Sequence, residues 1–498
     1  MRKAKVPAAL LLVACVAFSA AARAADSPAS SLSRITASGV LRWGGDLQGG
    51  EPYVYEDPQH PGRLAGFEVE LADAIAQQLG VRAEFHQNDW GQLVPSLERG
   101  TFDVILNGLE VTRARVGRIA FSRPYYVFAE RLMARKDDPR ITGLSSLAGK
   151  RTGTLGNSLA HELLTTRADP VLYEGVEEPY LDLSRGRTDA VLLDDIIAAR
   201  YGQMHPDLRV VADVAEGYYA IGILPSEPDL KRAVDLALGK LEDSGELRAI
   251  LQRYAIDNPR QDRLRAWSEQ DQRAMLGAEQ APATSPTGMT WFSLWLFARG
   301  AFMTILVSVL AMSLAVPLGM ALALGRSFGP RWLGRIAGAY VEVYRGTPVL
   351  LQLYVLYYGL AGLVRIDALA TAVVGLGMNY AAYEAEVYRA GIAAVPKGQM
   401  AAAYALGMST PLALRRVLLP QAFRLALPNV TNDFIALLKD SSLVSVITVV
   451  ELTKQMTITA VDVRSFVLPG VLCAGLYFAM SYPLSRWARV LEARLARG

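Results

Sequence analysis

Cysteine is nearly absent: the 498 residues contain two, Cys15 and Cys473. One lies in an apolar leader and the other in an apolar run, so the polar part of the chain between them has none. That excludes a disulfide framework and a cysteine zinc site there. An excess of one charge is also missing. Lys and Arg number 51 against 48 Asp and Glu, a net charge of +3, which gives no sequence-wide argument for a nucleic-acid partner. A phosphate-binding loop is missing too. Gly143–Arg151 (GLSSLAGKR) has five residues between its glycines where four are needed, and Arg151 stands where Ser or Thr is required. Long apolar runs are absent up to roughly residue 285 and dominate afterwards. The 52% hydrophobic content therefore averages two different halves, and the length asks for at least two domains.

The first 24 residues read as a secretory signal. Arg2, Lys3 and Lys5 form a basic start, Val6–Ala20 an apolar stretch, and Ala22-Arg23-Ala24 a cleavage pattern. Leu12-Val13-Ala14-Cys15 resembles a lipidation site, the other reading. The apolar run on to Ala22 favours cleavage. Residues 31–262 alternate short strand-like runs with helical patterns. Val40-Leu41-Arg42-Trp43 reads as a strand, 103–106 and 189–193 as buried strands, and 67–79 as a helix with apolar residues at 67, 71, 75 and 79, ended by Gly80. Repeated strand–helix units predict an α/β architecture. Residues 263–290 read as a linker around QAPATSPTG.

From 291 to 498 five apolar spans are predicted, near 299–325, 335–361, 368–392, 428–450 and 466–488. If the signal sends the soluble part outside, the first span runs inward. Three basic clusters then fall on the cytoplasmic side: Arg326, Arg331 and Arg335; Lys397, Arg415, Arg416 and Arg424; Arg486, Arg489, Arg494 and Arg497. The outer segments are poorer, with Arg365 and Asp367 in one, and Glu451, Lys454, Asp462 and Arg464 in the other. Glu342, Glu384, Glu386 and Lys439 within or beside spans are expected to face a dimer interior or to lie at span ends, because lipid-facing charge is costly.

The soluble half carries, in order, Gly66-Phe67-Glu68-Val69-Glu70-Leu71, Asp89-Trp90-Gly91-Gln92-Leu93, Val111-Thr112-Arg113-Ala114-Arg115, Phe121-Ser122-Arg123-Pro124-Tyr125-Tyr126 and Gly186-Arg187-Thr188-Asp189. By these it resembles the polar amino-acid-binding family of periplasmic solute-binding proteins. That resemblance implies two α/β lobes on a two-strand hinge, with crossovers near Tyr126–Met133 and Tyr219–Leu224. A zwitterion in a closed cleft needs a cation for its carboxylate and an anion for its ammonium. The resemblance gives the first task to Arg115 and the second to Asp194, with Asp195 next in line. A solvated arginine and a helix-capping aspartate are the plain alternatives. The implied set of substrate-binding residues is Asp46, Tyr53, Trp90, Gly108, Glu110, Arg115, Asn157, Ser158 and Asp194. Asn157 and Ser158 stand in the turn that meets the carboxylate, and Trp90 is either an aromatic wall or packing. Two positions depart from the family pattern. Gly50 replaces an aromatic, and Glu110 replaces a small hydroxyl residue. With Asp46, Glu51 and Asp194, Glu110 points to a cationic ligand such as arginine, lysine or ornithine, unless these acids are exposed.

The second half carries Tyr340–Pro348 (YVEVYRGTP), Ala382–Arg389 (AYEAEVYR) and Leu438–Leu443 (LKDSSL). It also carries a coupling segment, residues 398–420, that runs from Gly398 to Gly407 and on to Pro420. It resembles the permeases that import histidine, glutamine, glutamate, arginine and opines. The coupling segment is their EAA loop, with Ala401 in place of the usual glutamate beside Ala402. It reads as a helix from Gly398 to Leu406 stopped by Gly407, then a second helix before Pro420. The expected whole is a type II two-lobed α/β binding domain followed by an all-α, five-helix transmembrane permease domain. The expected partners are an amino-acid ligand, a separate ABC ATPase at the coupling segment and a second permease copy, in a bacterial inner membrane with the binding domain outside and the C-terminus in the cytoplasm. No cofactor and no metal are expected in this chain, ATP being used by the partner. An amino-acid-gated receptor or channel is the alternative.

Overall fold

The computed structural model describes residues 30–278, 289–360, 366–463 and 465–495. The signal read over 1–24, residues 279–288 of the linker, and Arg365, Arg464 and Arg497 lie outside the described residues.

One eight-stranded sheet runs through both lobes of the soluble half. Its strands are β1 (Val40–Gly45), β2 (Arg82–Gln87), β3 (Val104–Ile105), β4 (Ala120–Arg135), β5 (Arg151–Leu155), β6 (Asp169–Tyr173), β7 (Ala190–Asp194) and β8 (Leu208–Ile223), in the order β2-β1-β3-β8-β4-β7-β5-β6. β4 and β8 are 16 residues each and pair antiparallel from Leu208–Arg135 to Ile223–Ala120, so both cross from one lobe to the other. The expected hinge crossovers lie on these strands. Their pairing slips where Ala220 faces Pro124, a residue with no N–H to give the ladder. The buried 103–106 run forms a strand of only two residues, β3; beside it the Asp103 carboxylate is held by Arg34 and Arg42 and its N–H donates to the Arg42 carbonyl. The 67–79 pattern forms the helix Phe67–Gln78, and Gly80 follows it in the left-handed region.

The segment read as linker from 263 is ordered as far as Ala278. The helix Glu269–Ala278 sits on the first lobe, with Met275 buried and Trp267 edge-on to Tyr218. Its apolar residues find partners that a loop reading does not foresee.

The second half is helical: Trp291–Phe328, Arg331–Gly346, Val349–Tyr354, Ala368–Ala394, Leu419–Asp440 and Val467–Leu495 are its main rods. Among the described residues two helices, Trp291–Phe328 and Val467–Val490, are long and apolar enough to cross a membrane. The second predicted span is broken at Thr347-Pro348. Thr347 turns extended, because the ring of the following proline disfavours helix there. Around the coupling segment the helix Lys397–Ala405 ends as expected before Gly407 (φ +76°). The expected second helix before Pro420 starts as the short helix Thr410–Ala413. The backbone runs through a π-turn, Leu414–Leu418, into Leu419–Asp440, with Pro420 in the first turn where its missing N–H costs nothing. Of the span charges, Glu384 is fully buried against Gly319, and Glu386 is paired with Arg326 and Arg389. Glu342 and Lys439 are exposed on the single chain.

Candidate functional site

The cleft lies where β7, β8 and the loops after β1 and β3 meet. A cavity there is lined by Asp46, Gln48, Gly49, Tyr53, Trp90, Asn107, Gly108, Glu110, Leu155, Glu174, Val176, Asp194, Ile197 and Tyr219. Six of the nine expected substrate residues line it: Asp46, Tyr53, Trp90, Gly108, Glu110 and Asp194.

Asp194 ends β7 on the second lobe. Its Oδ1 accepts from the Tyr53 hydroxyl at 3.0 Å and its Oδ2 from the Tyr219 hydroxyl at 2.5 Å. It also caps the short helix Asp195–Ile197 through the Ile197 N–H at 2.8 Å, so the capping reading and the cleft reading both describe it. Burial raises its carboxyl to about 6. Asp195 turns away from the cavity to Arg260 and the Ala129 N–H.

Arg115, Asn157 and Ser158 are not among the residues that line this cavity. The Arg115 guanidinium donates to the carbonyls of Glu110 at 2.9 Å and Asn157 at 2.8 Å, and stands 4.8 Å from the centre of the Trp90 ring. It is buried rather than solvated, but its planar fork meets the protein's own backbone across the two lobes. Ser158 caps its own helix through the His161 N–H, and its hydroxyl donates to the Leu155 carbonyl. Trp90 bridges the lobes with its Nε1–H on the Gly156 carbonyl at 2.9 Å. Glu51 is also outside the cavity, in an exposed pair with Arg200. The space a side chain at Gly50 would fill is taken by the Tyr201 hydroxyl of the second lobe.

The loop bearing Gly108 and Glu110 is fixed from behind. Glu68, fully buried, accepts from the Gly108 N–H at 2.5 Å and the Tyr125 hydroxyl at 2.6 Å. Gly108 has φ +55°, and a Cβ there would stand 2.9 Å from the Tyr53 ring. Gly108→Ala is therefore expected to cost about 1–3 kcal/mol in strain, read as a lower melting temperature, and to displace Tyr53 from Asp194.

The buried acids make stability depend on pH. Desolvation is the largest cause that raises Glu68 to about 7 and Glu110 to about 8, and it raises Glu130 as well. A carboxyl raised on folding holds its proton more tightly in the folded chain. Its contribution is full below the ordinary carboxylate range and is lost progressively as pH rises from about 4.5 to between 7 and 8. At 1.36 kcal/mol per pH unit, Glu68 alone is on the order of 3 kcal/mol. The ligand-free protein is expected to melt at lower temperature at pH 8 than at pH 5, and Glu68→Gln to flatten that slope. A profile that rises with pH would contradict this.

The second lobe is seated on the helical half. Arg187 Nη1 donates to Asp182 at 3.0 Å, Nη2 to the Tyr357 carbonyl at 3.0 Å, and the guanidinium lies 4.0 Å over the Tyr357 ring. Asp182 also accepts from the hydroxyls of Tyr173 at 2.6 Å and Tyr357 at 2.9 Å. Lys454 Nζ reaches Glu174 at 3.0 Å, and Glu174 is itself a wall of the cavity. In the coupling segment, Gly398, Ala401, Ala402, Gly407 and Pro420 are exposed. So are the apolar Tyr404, Leu406 and Leu412, Leu406 at 78%.

Residues 43–257 match the bacterial extracellular solute-binding proteins, family 3, and residues 315–497 match the binding-protein-dependent transport system inner membrane component family. Over 215 residues the chain is 36% identical to the L-cystine transport system permease protein TcyB of Bacillus subtilis, covering 43% of this chain and 92% of that protein. The chain belongs to the binding-protein-dependent transport permeases. The octopine transport system permease protein OccM of Rhizobium meliloti is 34% identical over 207 residues, 38% of this permease and 84% of OccM. Holo ArgBP from T. maritima aligns with the soluble half at 27% identity and a TM-score of 0.40, over 45% of the permease chain and 99% of that structure. The permease thus carries a solute-binding domain fused ahead of its inner-membrane component, and the receptor or channel alternative falls away.

Sequence reasoning missed several cleft residues of this permease. Tyr219 was assigned to the hinge alone, yet its hydroxyl is the closest partner of Asp194. Glu174 and Asn107 lie in loops without a motif. The Gly66-Phe67-Glu68 motif held a signal that went unused: an acid at the second helical position, buried behind the binding loop.

Proposed function

We propose that this permease captures a cationic solute of the amino-acid class in the cleft between its lobes and passes it through its own membrane domain, driven by a separate ATPase. The observation that carries the reading is Glu174, which lines the cleft and holds Lys454 of the membrane half, so the solute site and the transport domain meet at one residue. The amino-acid class rests on relatives named for cystine and octopine transport. The cationic character rests on Asp46, Glu110, Glu174 and Asp194 around the cavity.

The domains are assigned to 31–262 for binding and 291–498 for transport, with 263–290 joining them. Tyr357, near the outer end of the second predicted span, and Lys454, in the second outer segment, seat the second lobe on the side that the distribution of Lys and Arg puts outside. The coupling segment belongs to the opposite, basic side. That supports a binding domain outside the inner membrane and a cytoplasmic C-terminus. Exposed Tyr404, Leu406 and Leu412 are the apolar surface offered to the ATPase, with Gly398, Ala401, Ala402, Gly407 and Pro420 shaping it. A second copy completes the pathway. Hydrolysis of ATP is left to the partner, and no cofactor is assigned to this chain.

Membrane vesicles containing the permease and its ATPase are expected to accumulate labelled basic amino acids or their amines only with ATP. Leu406→Asp should abolish uptake while leaving solute binding unchanged. Uptake that ignores both ATP and this substitution would defeat the reading.

A further inference from the structure

We propose that Glu110 fills the anion seat of the cleft, so that the solute captured is a small organic cation without a free carboxylate: an amine or guanidine of the kind left when a basic amino acid loses its carboxyl group. This narrows the solute class proposed above and rests on the cleft being the solute site.

A carboxylate enclosed in a cavity must be met by a cation or by several N–H donors. Among the described residues lining this cavity there is no Lys, Arg or His. The one buried guanidinium beside it, Arg115, is 7% exposed and spends two nitrogens on the carbonyls of Glu110 and Asn157. Its facing anion is the Glu110 carboxylate, with Nη1 3.7 Å from Oε2. The same Oε2 accepts the Leu159 N–H, from the other lobe, at 2.6 Å. Cation and N–H therefore converge on a carboxylate that the protein supplies, at the seat an incoming carboxylate would need.

The rest of the cleft is acidic. Asp46 is held by the N–H groups of Gln48 and Trp90 and by Gln87. Asp194 is held by Tyr53, Tyr219 and Ile197. Behind them Glu130, opposite Asp194 in the β4–β7 register, is fully buried with no hydrogen-bond partner for either oxygen among the described residues. Four buried acids, Glu68, Glu110, Glu130 and Asp194, lie in or behind this site, and the buried cations that reach its walls are Arg115, 3.7 Å from Glu110, and Lys454, 3.0 Å from Glu174. Burial makes these carboxyls hold their protons, and a cationic solute draws them back to the charged form, whereas a second carboxylate would raise them further. Glu110 is the residue that decides. A hydroxyl in its place would leave the Leu159 N–H and the Arg115 charge for the solute.

The test is isothermal titration of the purified full-length chain in detergent with three matched pairs: agmatine and arginine, cadaverine and lysine, putrescine and ornithine. The wild type is expected to bind at least one amine tenfold or more tighter than its parent amino acid. Glu110→Ser should cut that preference at least tenfold or reverse it, and Glu110→Gln should weaken it. Parent amino acids bound as well as or better than the amines by the wild type would overturn the inference while leaving the cleft as the solute site. An amine preference that survives both substitutions would remove Glu110 from the argument and overturn it too. No binding of any pair member by a chain that melts cooperatively would defeat the inference together with the cationic reading of the cleft. Should a variant fail to fold, the wild-type ratios decide.

Discussion

Asp194→Ala is expected to weaken solute binding by about 2–5 kcal/mol, a loss of roughly thirty-fold to several thousand-fold. The reason is its position. Asp194 is buried between Tyr53 and Tyr219, both of which donate to it, and it faces the cavity from the second lobe. A cation in that cavity finds there a carboxylate already oriented by three donors, so little order is lost on binding. The same residue caps a helix through Ile197, and the two roles can be separated. Asp194→Ser keeps a capping oxygen and removes the charge. It should melt close to the wild type and lose most of the affinity. Titration of both variants with the tightest-binding solute checks this. If Asp194→Ser binds within threefold of the wild type, Asp194 is a cap and not a solute residue.

Arg187→Ala is expected to destabilise the seat of the second lobe by about 3–5 kcal/mol. Asp182 is buried, and Arg187 is its one cationic partner among the described residues. Without the guanidinium, Asp182 keeps the hydroxyls of Tyr173 and Tyr357 but loses its cationic partner in a buried place. The Tyr357 ring also loses the cation stacked over it. Hydrogen exchange should rise around Asp182 and Tyr357 together, and uptake should fall while solute affinity holds, because Arg187 does not line the cavity. Unchanged exchange at Tyr357 would show that the lobe does not depend on this pair. A double substitution with Tyr357→Phe measures the coupling between them, since the two side chains share Asp182.

The architecture was legible because it rests on periodicity. Apolar residues at 67, 71, 75 and 79 produce the helix Phe67–Gln78, and the apolar run at 190–193 produces a central strand. The position of Gly407 after a short helix was legible for a local reason, the left-handed turn that glycine adopts at low cost. Reading failed at a proline inside a span and where one element borrows from another. Thr347-Pro348 breaks a span that hydropathy draws as continuous, and Trp267 and Met275 fold a presumed linker onto the first lobe.

The cleft divides the same way. The class of protein, two α/β lobes ahead of membrane helices, and the acids at positions 46, 110 and 194 were legible along the chain. Residue type and spacing carry those features. Only the tertiary structure decided what the charges do. It turned Arg115 onto backbone carbonyls, set Glu110 against the Leu159 N–H of the opposite lobe, joined Tyr219 to Asp194, and linked Glu174 to Lys454 across the two halves. Each of these contacts joins residues from different elements, most of them far apart in sequence, and a hydrogen bond depends on ångström-scale placement that spacing along the chain does not fix.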